Sequence, residues 1–177
     1  MRDEDRAAHE YTETWCKDGK IGYVALSGGA RVRYLRVGVG PPLVLMHTVR
    51  TQLDHFQFVV PQITDAFTVY ALDFPGMGWS DIVPGASYDE AALRAAAVRV
   101  VQDLDLSDVT LAGESMGATV SLTASVDLGD RVRRIVAPLR QGPDSRGHRR
   151  RTTVRVRTFR PDGVRMAPFP VRVLWFA

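Results

Sequence analysis

Residues 111–117 read Leu111-Ala112-Gly113-Glu114-Ser115-Met116-Gly117, a G-x-S-x-G pattern that ends an apolar run and opens a stretch of small residues. Val109 to Ala112 has the β-branched, continuous apolar character of a strand, and Gly117 to Asp127 reads as a helix packed closely on a sheet. Passing directly from strand to helix demands a sharp turn. The serine at its apex is then held in a strained conformation with its hydroxyl exposed, and a side chain at Gly113 or Gly117 would crowd the turn. The helix directs the positive end of its dipole at the serine, and the Met116 N–H is free to donate to an oxyanion. The plainer alternative is a serine that caps a helix and does no chemistry. The strand before it and the small-residue helix behind it favour the catalytic reading.

Upstream, Leu43 to Met46 (LVLM) and Phe67 to Leu72 (FTVYAL) are continuous apolar runs, as expected of strands buried on both faces; Val132 to Ala137 reads as a further strand. Between them lie stretches of helical periodicity. In Thr51 to Thr64, Leu53, Phe56, Val60 and Ile63 recur at three and four, with Pro61 as a kink or stop. Ser87 to Leu104 opens on a Ser87-x-x-Glu90 capping box and carries the stripe Leu93, Ala97, Val100 and Leu104. Strict alternation of strand and helix implies right-handed crossovers, hence an α/β fold with a doubly wound, mostly parallel sheet. Ahead of it, Gly22 to Leu26 and Arg31 to Val37 flank the turn SGGA and read as an antiparallel hairpin at the sheet edge, the second strand having one wet face. The first dozen residues are polar and read as frayed.

Sites in such sheets sit beyond the carboxyl ends of the strands. Besides Ser115, two loops qualify. After Met46 comes His47-Thr48-Val49, where His47 reads as a brace for the loop. After Leu72 comes Asp73-Phe74-Pro75-Gly76-Met77-Gly78-Trp79-Ser80-Asp81. Gly76-x-Gly78 lacks the third glycine of a dinucleotide-binding loop, so it reads as a tight turn at the pocket rim, with Asp73 structural.

Together PLVLMHT, DFPGMGWSD and LAGESMG resemble, in order and context, the N-terminal part of the α/β-hydrolase superfamily, from about Gly22 to Ala137. The resemblance implies an incomplete α/β-hydrolase fold and a serine (esterase- or lipase-like) enzyme. Ser115 would act as nucleophile on an ester, lactone or related acyl bond, with the backbone N–H groups of Val49 and Met116 as oxyanion donors and Gly113 and Gly117 shaping the elbow. Thr48 stands where the family usually has glycine. Ser115 itself argues against the haloalkane dehalogenase and epoxide hydrolase branches, which carry aspartate there. The partner implied is a small-molecule acyl substrate; no metal or other cofactor is implied.

In this superfamily the acid and the histidine of the triad follow the serine. The one histidine after Ser115 is His148, in SRGHRRR; it and Asp144 read as solvated loop residues, and His9 and His55 precede the serine. The expectation is therefore an incomplete hydrolase, weakly active or inactive as written. A non-catalytic ligand-binding protein on the same scaffold is the alternative. A sheet ending at the strand Val132 to Ala137 would leave an open edge that invites self-association.

Charge divides the chain in the same place. Residues 1–137 carry 11 Arg and 2 Lys against 18 Asp and Glu, a balance of −5, whereas residues 138–177 carry 10 Arg against Asp144 and Asp162, a balance of +8. We read 1–137 as the core and 138–177 as an atypical Arg-rich tail, either a shifted reading frame or a native basic extension. Nothing aromatic is interleaved there in a nucleic-acid-binding pattern, which argues against that partner. Cys16 is the single cysteine and can form no internal disulfide. The acidic start MRDEDRAAHE does not read as a secretory signal, and no apolar run approaches the roughly eighteen residues of a membrane span; the expected location is the cytoplasm.

Overall fold

The computed structural model describes residues 2–137, 157–160 and 163–166. Among these residues eight strands form one sheet: β1 (Lys20–Ala25), β2 (Arg31–Val37), β3 (Pro42–Met46), β4 (Thr68–Leu72), β5 (Val109–Gly113), β6 (Val132–Val136), β7 (Arg157–Arg160) and β8 (Gly163–Met166). Their spatial order is β1-β2-β4-β3-β5-β6-β7-β8. β3 lies between β4 and β5, parallel to both, and β6 continues the parallel set. The hairpin β1–β2 joins antiparallel through β2 to β4, with the Leu26 N–H donating to the Ala30 carbonyl across the turn at 2.7 Å. The mostly parallel centre and the N-terminal hairpin both match the sequence-based expectation.

The central strands read as unbroken apolar runs because both faces are covered. Val44 and Met46 of β3 point to one side, with Tyr70, Leu72 and Leu111. There they meet α2 (Glu90–Asp103) through Leu93, Ala97 and Val100, and α3 (Met116–Leu128) through Val120, Ala124 and Leu128. Leu43 and Leu45 point to the other side, with Val69, Ala71 and Leu35, beneath Leu53, Phe56 and Val60. The alternation of a strand is thus preserved, with both phases buried. Among the described residues no helix is long and apolar enough to cross a membrane.

Several expectations are corrected. The first residues are not frayed: Asp3–Glu13 forms α1, which buries Ala8 and Thr12. Arg31 donates to the Asp5 carboxylate at 2.9 Å and Arg2 to that of Asp81 at 2.7 Å, so an acidic helix is held against a basic strand. The helix expected over Thr51–Thr64 is instead two 3-10 turns, Leu53–Phe56 and Val60–Gln62. Leu53, Phe56 and Val60 are buried and Ile63 partly so, as the periodicity required, but the Leu53 N–H is drawn to the Asp73 carboxylate, and Pro61 has no N–H for a helical ladder. The cap of α2 is Asp89, accepting from the Ala92 N–H at 2.9 Å, while Ser87 donates to Asp89. Asp89 takes the role because its carboxylate reaches the orphan N–H and also favours the positive helix end. These hydrogen bonds hold its pKa below the usual carboxylate value. The sheet also continues past β6, which has a partner strand on its outer side. β7 runs antiparallel beside it, Ile135 opposite Arg157, and β8 pairs with β7. His148 and Asp144 lie outside the described residues.

Only part of one face of β2 is wet: Arg36 is exposed and Tyr34 half-buried, with Val32 buried on the same side. β2 is an interior strand, and Arg33 is fully buried (0% exposed). Its Nε donates to Asp73 at 2.7 Å and its Nη2 to Asp54 at 3.0 Å, and the Trp15 indole N–H donates to Asp54 at 2.7 Å. Removing one partner of a buried ion cluster leaves charge uncompensated, which costs about 3–5 kcal/mol. We therefore expect Arg33→Met to destabilise the fold by about that amount in urea denaturation. A loss below about 1 kcal/mol would mean that the two carboxylates relax without their cation.

Candidate functional site

Register places the site. Met46 at the end of β3 lies opposite Gly113 at the end of β5, so the loops that start at His47 and Glu114 leave the same edge of the sheet side by side. The Glu114 N–H donates to the Met46 carbonyl at 3.3 Å. Ser115 then turns with φ 52° and ψ −109°, a left-handed conformation that a residue with a side chain adopts only under strain, and its side chain is exposed. Met116 is the first residue of α3, where the opening N–H groups have no partner within the helix.

Both glycines flanking the serine are sterically required. A Cβ on Gly113 would overlap the Gly117 backbone, and one on Gly117 would overlap the carbonyls of Met46 and His47. The chain can enter α3 this close to β3 only where these two residues carry no side chain.

The loop after β3 is fixed at its root. His47 is fully buried; its Nε2 accepts from the Phe74 N–H at 3.1 Å, and its Nδ1 lies 2.7 Å from the Thr48 carbonyl. Accepting at Nε2 puts the proton on Nδ1, which donates to Thr48. The ring meets Phe74 edge-on. Val49 is exposed, and Arg50 beyond it has φ 60°. Thr51 closes the loop by donating to the Thr48 carbonyl at 2.9 Å. Thr48 in the usual glycine position thus supplies a carbonyl that two groups share.

The third loop is organised by Asp73, fully buried, whose carboxylate accepts from the Leu53 N–H (2.6 Å), the Arg33 Nε (2.7 Å) and the Trp79 N–H (2.8 Å). Gly78, at φ 55°, sits where a Cβ would strike that carboxylate. Three donors, two of them backbone N–H groups, thus engage the Asp73 carboxylate.

Two features escape sequence reasoning. The Arg33–Asp54–Asp73 cluster joins β2 to both loops, yet in RVRYLRV the buried arginine looks like its exposed neighbour Arg36. Nothing in the local sequence separates the two. The second is a pair beside the serine: His55 Nε2 lies 2.8 Å from a Glu114 carboxylate oxygen. Ser115 is bonded to neither this histidine nor His47, and His9 pairs with Glu13 on the surface of α1.

Residues 41–138 match the model of a family described by the alpha/beta hydrolase fold. The chain is 30% identical over 122 residues to 2-hydroxy-6-oxo-2,4-heptadienoate hydrolase of Pseudomonas putida, an overlap of 67% of this chain and 44% of that one. It is also 30% identical over 111 residues to a soluble epoxide hydrolase of a Corynebacterium species, covering 63% and 38% respectively. An esterase from Exiguobacterium antarcticum shares the fold with a TM-score of 0.62 at 24% identity, over 66% of this chain and 44% of that one. The chain spans less than half the length of these relatives.

Burial lowers the pKa of His47 below its ordinary value of 6.5. The unfolded chain takes up a proton there as pH drops below that value, while the folded chain does not. Folding stability therefore falls below pH 6.5, with a contribution of up to about 1.4 kcal/mol per pH unit, until the folded imidazole also protonates. Denaturation midpoints between pH 7.5 and 5 check this. His47→Gln should flatten the slope, and an unchanged slope would mean that other groups carry it.

Proposed function

The chain belongs to the α/β-hydrolase family, and from that premise we propose that it is a serine hydrolase for a small ester or related acyl substrate, acting through an acyl-enzyme at Ser115. The observation that carries this reading is the left-handed, exposed turn at Ser115 between β5 and α3. In the reaction the Ser115 hydroxyl adds to the carbonyl carbon, and the oxygen that becomes negative is met by the backbone N–H groups of Met116 and Val49. Preorganised donors of this kind contribute about 3–4 kcal/mol each to transition-state stabilisation. The positive end of α3 adds to the same field. A serine in this position supports acyl transfer even though one relative is an epoxide hydrolase, since the resemblance gives that branch an aspartate nucleophile.

Serine needs a base to take its proton. Among the described residues each histidine is engaged elsewhere: His47 with Phe74 and Thr48, His55 with Glu114, His9 with Glu13. On these 177 residues we accordingly expect weak turnover, sustained by the oxyanion donors and by binding. Elsewhere those contributions survive loss of a triad at roughly 10³–10⁴-fold over water.

The test is hydrolysis of p-nitrophenyl acetate by the wild-type chain and Ser115→Ala. Slow release above background, falling at least tenfold in the variant, is the expected result. Equal, near-background rates in both proteins would replace the reading with a non-catalytic binding protein on a hydrolase scaffold.

A further inference from the structure

Among the described residues, Glu114 and His55 form a hydrogen-bonded pair next to the serine that has no part in the reading above. Glu114 immediately precedes Ser115, its side chain is about one-third exposed, and its carboxylate lies 2.8 Å from His55 Nε2. His55 is held in place by its neighbours: Leu53, Asp54 and Phe56 are buried, Asp54 is bonded to Arg33, and the His55 ring packs edge-on against Phe56. His55 therefore stands in a 3-10 turn that is packed on the core and directly follows the loop of residues 48–52.

We propose that Glu114 and His55 form a positioning pair that fastens the loop of residues 48–52 to the turn carrying Ser115. Two consequences follow from its geometry. The loop that bears Val49 is rooted at His47 and at Leu53–Asp54, and the pair adds a side-chain tie from the 3-10 turn just beyond the loop to the turn carrying Ser115. That tie keeps the Val49 N–H in register with the serine. The pair also engages a carboxylate that would otherwise stand unpaired one residue from the place where an oxyanion develops. Like charge there would raise the barrier, and an imidazole N–H donating to Glu114 offsets it. This inference rests on the serine-hydrolase reading for its chemical meaning, but the fastening is physical and can be measured without turnover.

The experiment compares the full chain with Glu114→Ala, Glu114→Gln and His55→Ala. It reads amide hydrogen exchange at residues 48–53 and the rate at which a fluorophosphonate labels Ser115. Far-UV circular dichroism on each variant confirms that it is folded. Losing one charge-assisted hydrogen bond corresponds to about a tenfold change. Glu114→Ala and His55→Ala should each speed exchange and slow labelling by about that factor. His55→Ala should be the slower to label, because it strands the carboxylate. Glu114→Gln keeps an acceptor and should stay within about twofold of wild type in exchange. Unchanged exchange and labelling in both alanine variants would overturn the proposal. If exchange responds but wild-type Ser115 does not react, the fastening stands and the serine-hydrolase reading fails.

Discussion

The close approach of α3 to the end of β3 is the constraint on which the rest of this structure depends. Gly117 packs directly on the carbonyls of Met46 and His47, and Gly113 packs on Gly117. With no side chain at either position, the strand can end, turn and become a helix without leaving the sheet. The turn forces Ser115 to φ 52°. Strain of this kind costs about 1–3 kcal/mol. Burial of Val120, Ala124 and Leu128 from α3 offsets it, since a fully buried aliphatic side chain contributes roughly 1.5–3 kcal/mol. Packing behind the serine thus maintains the strain in front of it.

A second constraint fixes the loops around the turn. Arg33, buried in β2, holds Asp73 and Asp54, and Asp73 in turn takes the N–H groups of Leu53 and Trp79. One cation therefore ties the loop after β3 to the loop after β4. His47 adds a neutral tie between the same two loops through Phe74. Surface ion pairs would be too weak for this task, at about 0–1 kcal/mol, whereas breaking a buried cluster costs several. The salt bridges that hold α1 to β2 and Asp81 are partly exposed and belong nearer the weaker class.

Much of this was legible in the sequence because the controlling signals are local. LVLM, FTVYAL and Val109–Ala112 announce buried strands by composition, and G-E-S-M-G between strand and helix announces the turn. Other features are set by residues distant in the chain. The span Thr51–Thr64 has helical spacing, yet Asp73 and Arg33 capture its opening residues. The polar start of the chain has no apolar stripe to mark a helix and is held by Arg31 and Asp81, partners read elsewhere. The pairing of His55 with Glu114 crosses 59 residues and has no periodic trace. In each case a long-range polar contact overrode a local preference.

The central claim is that Ser115 is chemically distinguished from the other serines by the turn that carries it. The direct measurement is peptide mapping by mass spectrometry after treating the folded chain with a fluorophosphonate. The account predicts a single adduct on the peptide containing Ser115, absent after denaturation in urea. No adduct, or labelling spread over several serines, would contradict it.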